Sequence, residues 1–203
     1  MAKHVRCIDP TTGLESAVGG GLVELATALG TPKPGRELIT SGVASSSTAL
    51  TFDGCFSAKY DVYEIDYTNL KVANDGVGLL FRWRNAGVDV TGTTHYTLFR
   101  YFIPASGSVG DASSSSTSGH YCPHSALGNN TLEDVSLCIT TRPNSPLGKE
   151  LNFQGHYVLP DGTKVGLVGM STLADVTAMT GFKVVATTGL LASGSVAVYG
   201  KVK

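Results

Sequence analysis

Charge is scarce in this chain. Asp, Glu, Lys and Arg make up 15% of its 203 residues, against roughly 25% in ordinary soluble domains. The signs nearly cancel, leaving a net charge of −1, so no global field draws the protein toward nucleic acid or an anionic membrane. No apolar run is long enough to cross a bilayer. The N-terminus lacks the cationic start, apolar block and small-residue cleavage site of a signal peptide, so synthesis and assembly in the cytoplasm are expected. The four cysteines, Cys7, Cys55, Cys122 and Cys138, form no C-x-x-C pair. They are expected to be reduced and mostly packed as small hydrophobes. Asn129-Asn130-Thr131 fits a glycosylation sequon, but without a secretory route it reads as a polar turn. There are no heptads and no internal repeat of the kind an elongated fibre carries.

Gly, Ser and Thr fill the space that Lys and Glu usually occupy. That mixture suits short strands and turns and is poor for surface helices. From residue 38 onward the apolar residues alternate: Leu50 and Phe52; Tyr63, Ile65 and Tyr67; Val77, Leu79, Phe81 and Trp83; Val135, Leu137 and Ile139; Phe182, Val184 and Ala186; Val196, Val198 and Val202. Asn74-Asp75-Gly76, Asn85-Ala86-Gly87 and Pro160-Asp161-Gly162 punctuate these runs as turns. Leu173 to Met179 is expected as a helical turn or a wide loop. The last strand is expected to run to the chain end, leaving no free tail. The pattern predicts an all-β domain over residues 38–203, a jelly-roll or Greek-key sandwich of roughly eight to nine strands. The segment 105–119, almost wholly Ser and Gly, is expected to be a long exposed loop.

Residues 1–37 differ. Gly19-Gly20-Gly21 precedes Leu22, Leu25, Ala26 and Leu29 at helical spacing, and Thr31-Pro32-Lys33-Pro34-Gly35 enforces an extended connector. The segment reads as an arm with a short helix, or alternatively as a first strand and loop of the main domain. On the arm, Lys3, Arg6, Glu15, Glu24, Lys33 and Arg36 are the candidate partner contacts.

One compact cluster carries metal-ligating side chains: His120-Tyr121-Cys122-Pro123-His124. His120, Cys122 and His124 offer two imidazoles and a thiolate to zinc, but the spacing matches no common module. The plainer reading is a loop end re-entering the sheet with Cys122 packed. No G-x-S-x-G elbow is present, Gly19-Gly20-Gly21 lacks the Lys-Ser/Thr of a phosphate loop, and Glu64 and Asp66 read as ordinary alternation on a strand. Arg82 and Arg84 flank Trp83, the single tryptophan. They are expected on a solvent or interface face with the indole in the core, where they become further candidates for contact with another chain. The chain is read as non-enzymatic, with no cofactor.

Three segments carry a resemblance: Tyr60-Asp61-Val62-Tyr63-Glu64-Ile65, Gly78-Leu79-Leu80-Phe81-Arg82-Trp83, and the closing Gly194-Ser195-Val196-Ala197-Val198-Tyr199-Gly200, after the Ser-rich lead Ser41–Phe52. Their order resembles a group of tailed-bacteriophage virion proteins in which a Y-x-x-Y strand, an L-x-x-R strand and a terminal G-S-V-x-L-Y-G strand recur in one β-sandwich. The resemblance covers residues 38–203 and implies no catalytic residue. It implies a virion location and a capsid decoration (cement) role, with partners among the major capsid protein or other virion proteins and a symmetric homo-oligomer, a dimer or trimer; neither nucleic acid nor membrane is implied. The alternative is a tail- or fibre-associated receptor module that binds carbohydrate through Tyr60, Tyr63, Tyr67, Trp83, Tyr96, Tyr101, Tyr121 or Tyr157.

Overall fold

The computed structural model describes residues 35–123, 127–129 and 134–201. The expected helix at Leu22–Leu29, and Lys3, Arg6, Glu15, Glu24, Lys33 and His124, lie outside them. The described residues contain no helix. They form thirteen strands in two antiparallel sheets, an all-β sandwich. The larger sheet holds β1 (Arg36–Val43), β3 (Tyr63–Val72), β6 (His95–Ile103), β7 (Ser108–Ser116), β9 (Val135–Thr141), β10 (Lys149–Val158), β11 (Lys164–Leu173) and β13 (Leu191–Lys201). Its spatial order is β1-β13-β3-β9-β10-β11-β6-β7. The smaller sheet holds β2 (Leu50–Phe52), β12 (Gly181–Ala186), β4 (Leu79–Asn85) and β5 (Val88–Asp89) in that order, with β8 (His120–Tyr121) also paired to β4. Neighbours far apart in sequence, such as β1 beside β13 and β3 beside β9, come from long crossing connections like those of Greek-key sandwiches.

The period-two residues fill the space between the sheets. Tyr63, Ile65, Phe81, Trp83, Ile139, Phe182, Val184, Val196 and Val198 are fully enclosed. Phe182 stacks on Phe81 at 4.7 Å and on Phe52 at 4.8 Å between ring centroids. Trp83 meets Phe81 edge-on at 4.9 Å. These offset and T-shaped arrangements suit the ring quadrupoles and add to the gain from apolar burial. The turn signals act as expected. Asn85-Ala86-Gly87-Val88 closes β4 on β5 with positive φ at Ala86 (47°) and Gly87 (81°), as a two-residue hairpin of right-handed twist requires. At Pro160-Asp161-Gly162, the Asp161 carboxylate accepts from the Thr163 amide at 2.9 Å and closes the β10–β11 hairpin.

Three expectations need correcting. The segment 105–119 is not a loop. After a short reversal at Pro104–Gly107, Ser108–Ser116 forms β7 and pairs along its whole length with β6. Serine is a weak strand former by propensity, but an edge strand is held by its backbone ladder and needs no large side chains. Second, β1 begins at Arg36, so the last two residues of the expected arm belong to the sheet. Third, the strand count exceeds eight or nine, because β5 and β8 are too brief to show a period and β7 lies where a loop is expected. Leu173 ends β11, and the stretch from 174 to 180 is a wide loop.

Candidate functional site

Four of the six buried polar or charged side chains among the described residues sit together between the sheets: His95, Thr97, His120 and Ser171. The Trp83 indole N–H donates to His120 Nε2 at 2.8 Å. An indole can only donate, so His120 is neutral and carries its proton on Nδ1. That proton goes to Ser171 Oγ. Ser171 donates to the Tyr96 carbonyl at 2.7 Å and lies 2.7 Å from Thr97 Oγ1, which supplies the remaining proton. His95 packs edge-on against His120, 4.5 Å between centroids, with Nδ1 bonded to the Ser116 carbonyl at 3.0 Å. Burial holds both imidazoles below their ordinary pKa, and that of His120 far below it. A serine beside a histidine suggests nucleophilic catalysis on paper, but Ser171 and His120 have no exposed surface and Ser171's proton is committed to a carbonyl. The chemistry here is structural, a polar network pinning β4, β6, β8 and β11 together, with His95 Nε2 its one atom left without a hydrogen-bond partner among the described residues.

The same geometry places the expected metal candidates. Both nitrogens of His120 are engaged within the chain. Cys122 is wholly buried and its thiol pKa is pushed up. Cys55 and Cys138 are free as well, pushed up by burial to about 12 and about 11. Among the described residues, no three of His, Cys, Asp and Glu converge on a point where a metal ion could sit.

Arg36, Arg82, Arg84 and Arg100 spend their charge on carboxylates inside the chain. Arg84 grips Asp53 (Nε–Oδ1 2.7 Å) and also pairs with Asp89, which takes Lys183 as well and has Arg82 at 3.6 Å. Partial burial pushes the Asp89 carboxyl up, but Lys183 and Arg84 outweigh it and hold the pKa below the usual carboxylate value. Arg36 stacks on the Tyr199 ring at 3.6 Å, lies 2.9 Å from Glu64 and bonds Asp66; Lys201 reaches Glu64 at 2.8 Å. Glu64 and Asp66 are therefore part of a charged cluster that ties β1 and β13 to β3, more than plain solvated alternation.

The surface left free is elsewhere. On the outer face of the larger sheet, β6 and β11 present Tyr96 (59% exposed), Leu98 (57%), Phe102 (45%), Val168 (50%) and Met170 (44%). Leu98 faces Met170 across the ladder, and Val168 faces Arg100. Next to this stripe lies the Ser-rich outer face of β7, where Arg100 holds Asp111 at 2.8 Å. Of the tyrosines considered for sugar contact, Tyr60, Tyr63, Tyr67 and Tyr157 are buried, as is Trp83, and Tyr96 alone stands well exposed. The stripe and the Thr97–Ser171–His95 part of the network escape a reading of the sequence alone. One signal was present: β6 is apolar on both faces, Tyr96, Leu98 and Phe102 against Phe99 and Tyr101. A strand facing water on one side should alternate with polar residues.

No family model matches this chain, and no curated protein matches it.

Proposed function

We propose that this chain is a non-enzymatic structural protein of a tailed-phage virion, a capsid decoration (cement) protein that binds the particle surface as a symmetric oligomer. The observation that carries the reading is the apolar stripe Tyr96, Leu98, Phe102, Val168 and Met170, exposed on the outer face of the larger sheet. A contiguous exposed apolar surface of this kind is a usual mark of contact with another protein. Support also comes from the three segments that carry the phage resemblance, because they meet in the fold. Tyr63 pairs with Gly200 and Ile65 with Val198 across β3 and β13, and the Tyr60 ring covers Gly200. Leu79, Phe81 and Trp83 of the Gly78–Trp83 segment pack into the same core.

The test is to mix the purified full chain with phage particles stripped of minor proteins and to locate it by imaging. Labelling at regular sites on the capsid exterior is expected, reduced at least about tenfold in occupancy by Leu98→Asp with Met170→Asp. Label confined to the tail tip, or no particle binding, overturns the reading. The receptor-module alternative retains one favourable observation, the exposed Tyr96 next to Leu98 on the outer face of β6. A glycan array in which binding is lost on Tyr96→Ala supports it. Trp83→Ala is unsuited to that experiment, because removing a fully buried indole costs about 3–5 kcal/mol of stability.

A further inference from the structure

The two edges of the larger sheet are treated differently. β1, at one edge, carries Arg36 and Glu37, a register break between Leu38 and Thr40, and close packing against β2, whose Phe52 ring lies 3.1 Å from where a Cβ on Gly42 would stand. Charges, bulges and covering elements are the devices that keep an edge from recruiting another strand. β7, at the other edge, carries one charge and no bulge. It is nine residues long, paired in unbroken register with β6, free of proline and lysine, and its single charge, Asp111, is already matched by Arg100. Among the described residues no strand pairs with its outer side.

We propose that β7 is the self-association edge of this protein: two copies pair β7 to β7, antiparallel across a two-fold axis, joining their larger sheets into one. This rests on the reading of the chain as a self-assembling structural protein and names the edge that does it. A two-fold needs a self-complementary strand, and the side chains select the register. Pairing Asp111 with its own copy sets like charges opposite each other, which is unfavourable. The neighbouring register places Ala112 on the axis. It sets Asp111 of each copy opposite Ser113 of the other, so that each serine hydroxyl donates to a carboxylate. It also sets Ser114 opposite Gly110. Ser114 Oγ is buried and has no hydrogen-bond partner among the described residues, and buried hydroxyls are seldom left so. The Tyr101 hydroxyl lies over Gly110, 2.5 Å from where a Cβ would be. In the paired sheet a turn about the Ser114 Cα–Cβ bond carries its enclosed hydroxyl toward the Tyr101 hydroxyl of the other copy. The apolar stripes remain uncovered, side by side on one continuous face.

Sedimentation of the full chain across a concentration series, with three point variants and a deletion of residues 2–34, tests this. The wild type is expected to dimerise. Ser113→Glu, which sets acid against acid twice per dimer, should raise the dissociation constant roughly tenfold, whereas Ser113→Lys should leave it unchanged or lower it. Ala112→Cys should give a disulfide-linked dimer under mild oxidation, because directly opposed residues in an antiparallel pair lie within disulfide reach. Circular dichroism should show each variant folded. A wild type that stays monomeric at every loading overturns the proposal. So does a dimer indifferent to Ser113→Glu and uncrosslinked by Ala112→Cys, and so does one that survives Ser113→Glu but is lost when residues 2–34 are removed. Particle binding is not read in this experiment, so the virion reading stands or falls separately.

Discussion

Replacing Ser171 with alanine removes the hub of the buried polar network while changing the volume by a single oxygen. Ser171 Oγ accepts from His120 Nδ1 and Thr97 Oγ1 and donates to the Tyr96 carbonyl. None of these groups reaches water, since His120, Thr97 and Ser171 are all buried. The variant strands the His120 N–H outright, because the ring is fixed by the Trp83 bond on its other side. Thr97 can rotate and recover part of its loss. A stranded buried donor costs about 1–3 kcal/mol, so one full and one partial loss sum to about 2–4 kcal/mol. With a urea m-value of about 2 kcal/mol/M for a domain of this size, the midpoint should fall by about 1–2 M with the slope unchanged. Thr97→Val, which removes a donor and leaves a similar shape, should cost less, about 1 kcal/mol. The double variant should cost less than the sum, because both changes break the same bond. A Ser171→Ala loss below about 0.5 kcal/mol, or strict additivity with Thr97→Val, refutes the tautomer assignment and the network built on it.

The same cluster sets a pH dependence. His95 and His120 are both held below the ordinary imidazole value by burial, so below about pH 6.5 the unfolded chain binds protons that the folded chain refuses. Stability should be full above that pH and fall beneath it, by up to about 1.4 kcal/mol per pH unit for each ring. Urea midpoints measured from about pH 7.5 to pH 5 isolate the effect, because the depressed carboxylates Glu37, Asp89, Asp111 and Asp161 begin to titrate only near pH 4 and below; a flat profile contradicts it. Cys55 and Cys122, buried and with their thiol pKa raised, should resist a thiol reagent in the native protein and react on denaturation without prior reduction, as read by peptide mass mapping; rapid native labelling of Cys122 would disprove its enclosure. Gly200→Ala should destabilise by about 1–3 kcal/mol through overpacking, because a Cβ there would stand 2.5 Å from the Tyr60 ring, which Glu37 holds by its hydroxyl; thermal melts against wild type check this, and an unchanged midpoint would mean that the ring moves freely.

Much of the sandwich is legible in the sequence because its signals are local. Tyr63, Ile65 and Tyr67, or Leu79, Phe81 and Trp83, show period two without reference to any partner, and the burial of these residues follows from it. Gly76, Gly87 and Gly162 mark reversals because each takes a positive φ. Pairing is less visible. Nothing in the run Arg82-Trp83-Arg84 says that Arg84 will meet Asp53 and Asp89, or that Trp83 will donate to a histidine 37 residues away. His95, His120 and Ser171 come from three separate strands, and only the topology brings them together.

β7 shows why composition misleads at an edge. Ser108–Ser116 has few side chains able to pack a core, and by that measure it should stay outside the fold. Yet it needs no core of its own. Its inner residues, Gly110, Ala112 and Ser114, are small because Phe99 and Tyr101 of β6 already fill the space beneath them. Its outer residues, Ser113 and Ser115, sit beside Leu98 and Tyr96 without covering them. A bulkier strand would close the apolar stripe, and a charged one would repel a second copy. The serine run is thus consistent with both proposed surfaces: it leaves the apolar stripe exposed and the edge backbone without a strand partner among the described residues.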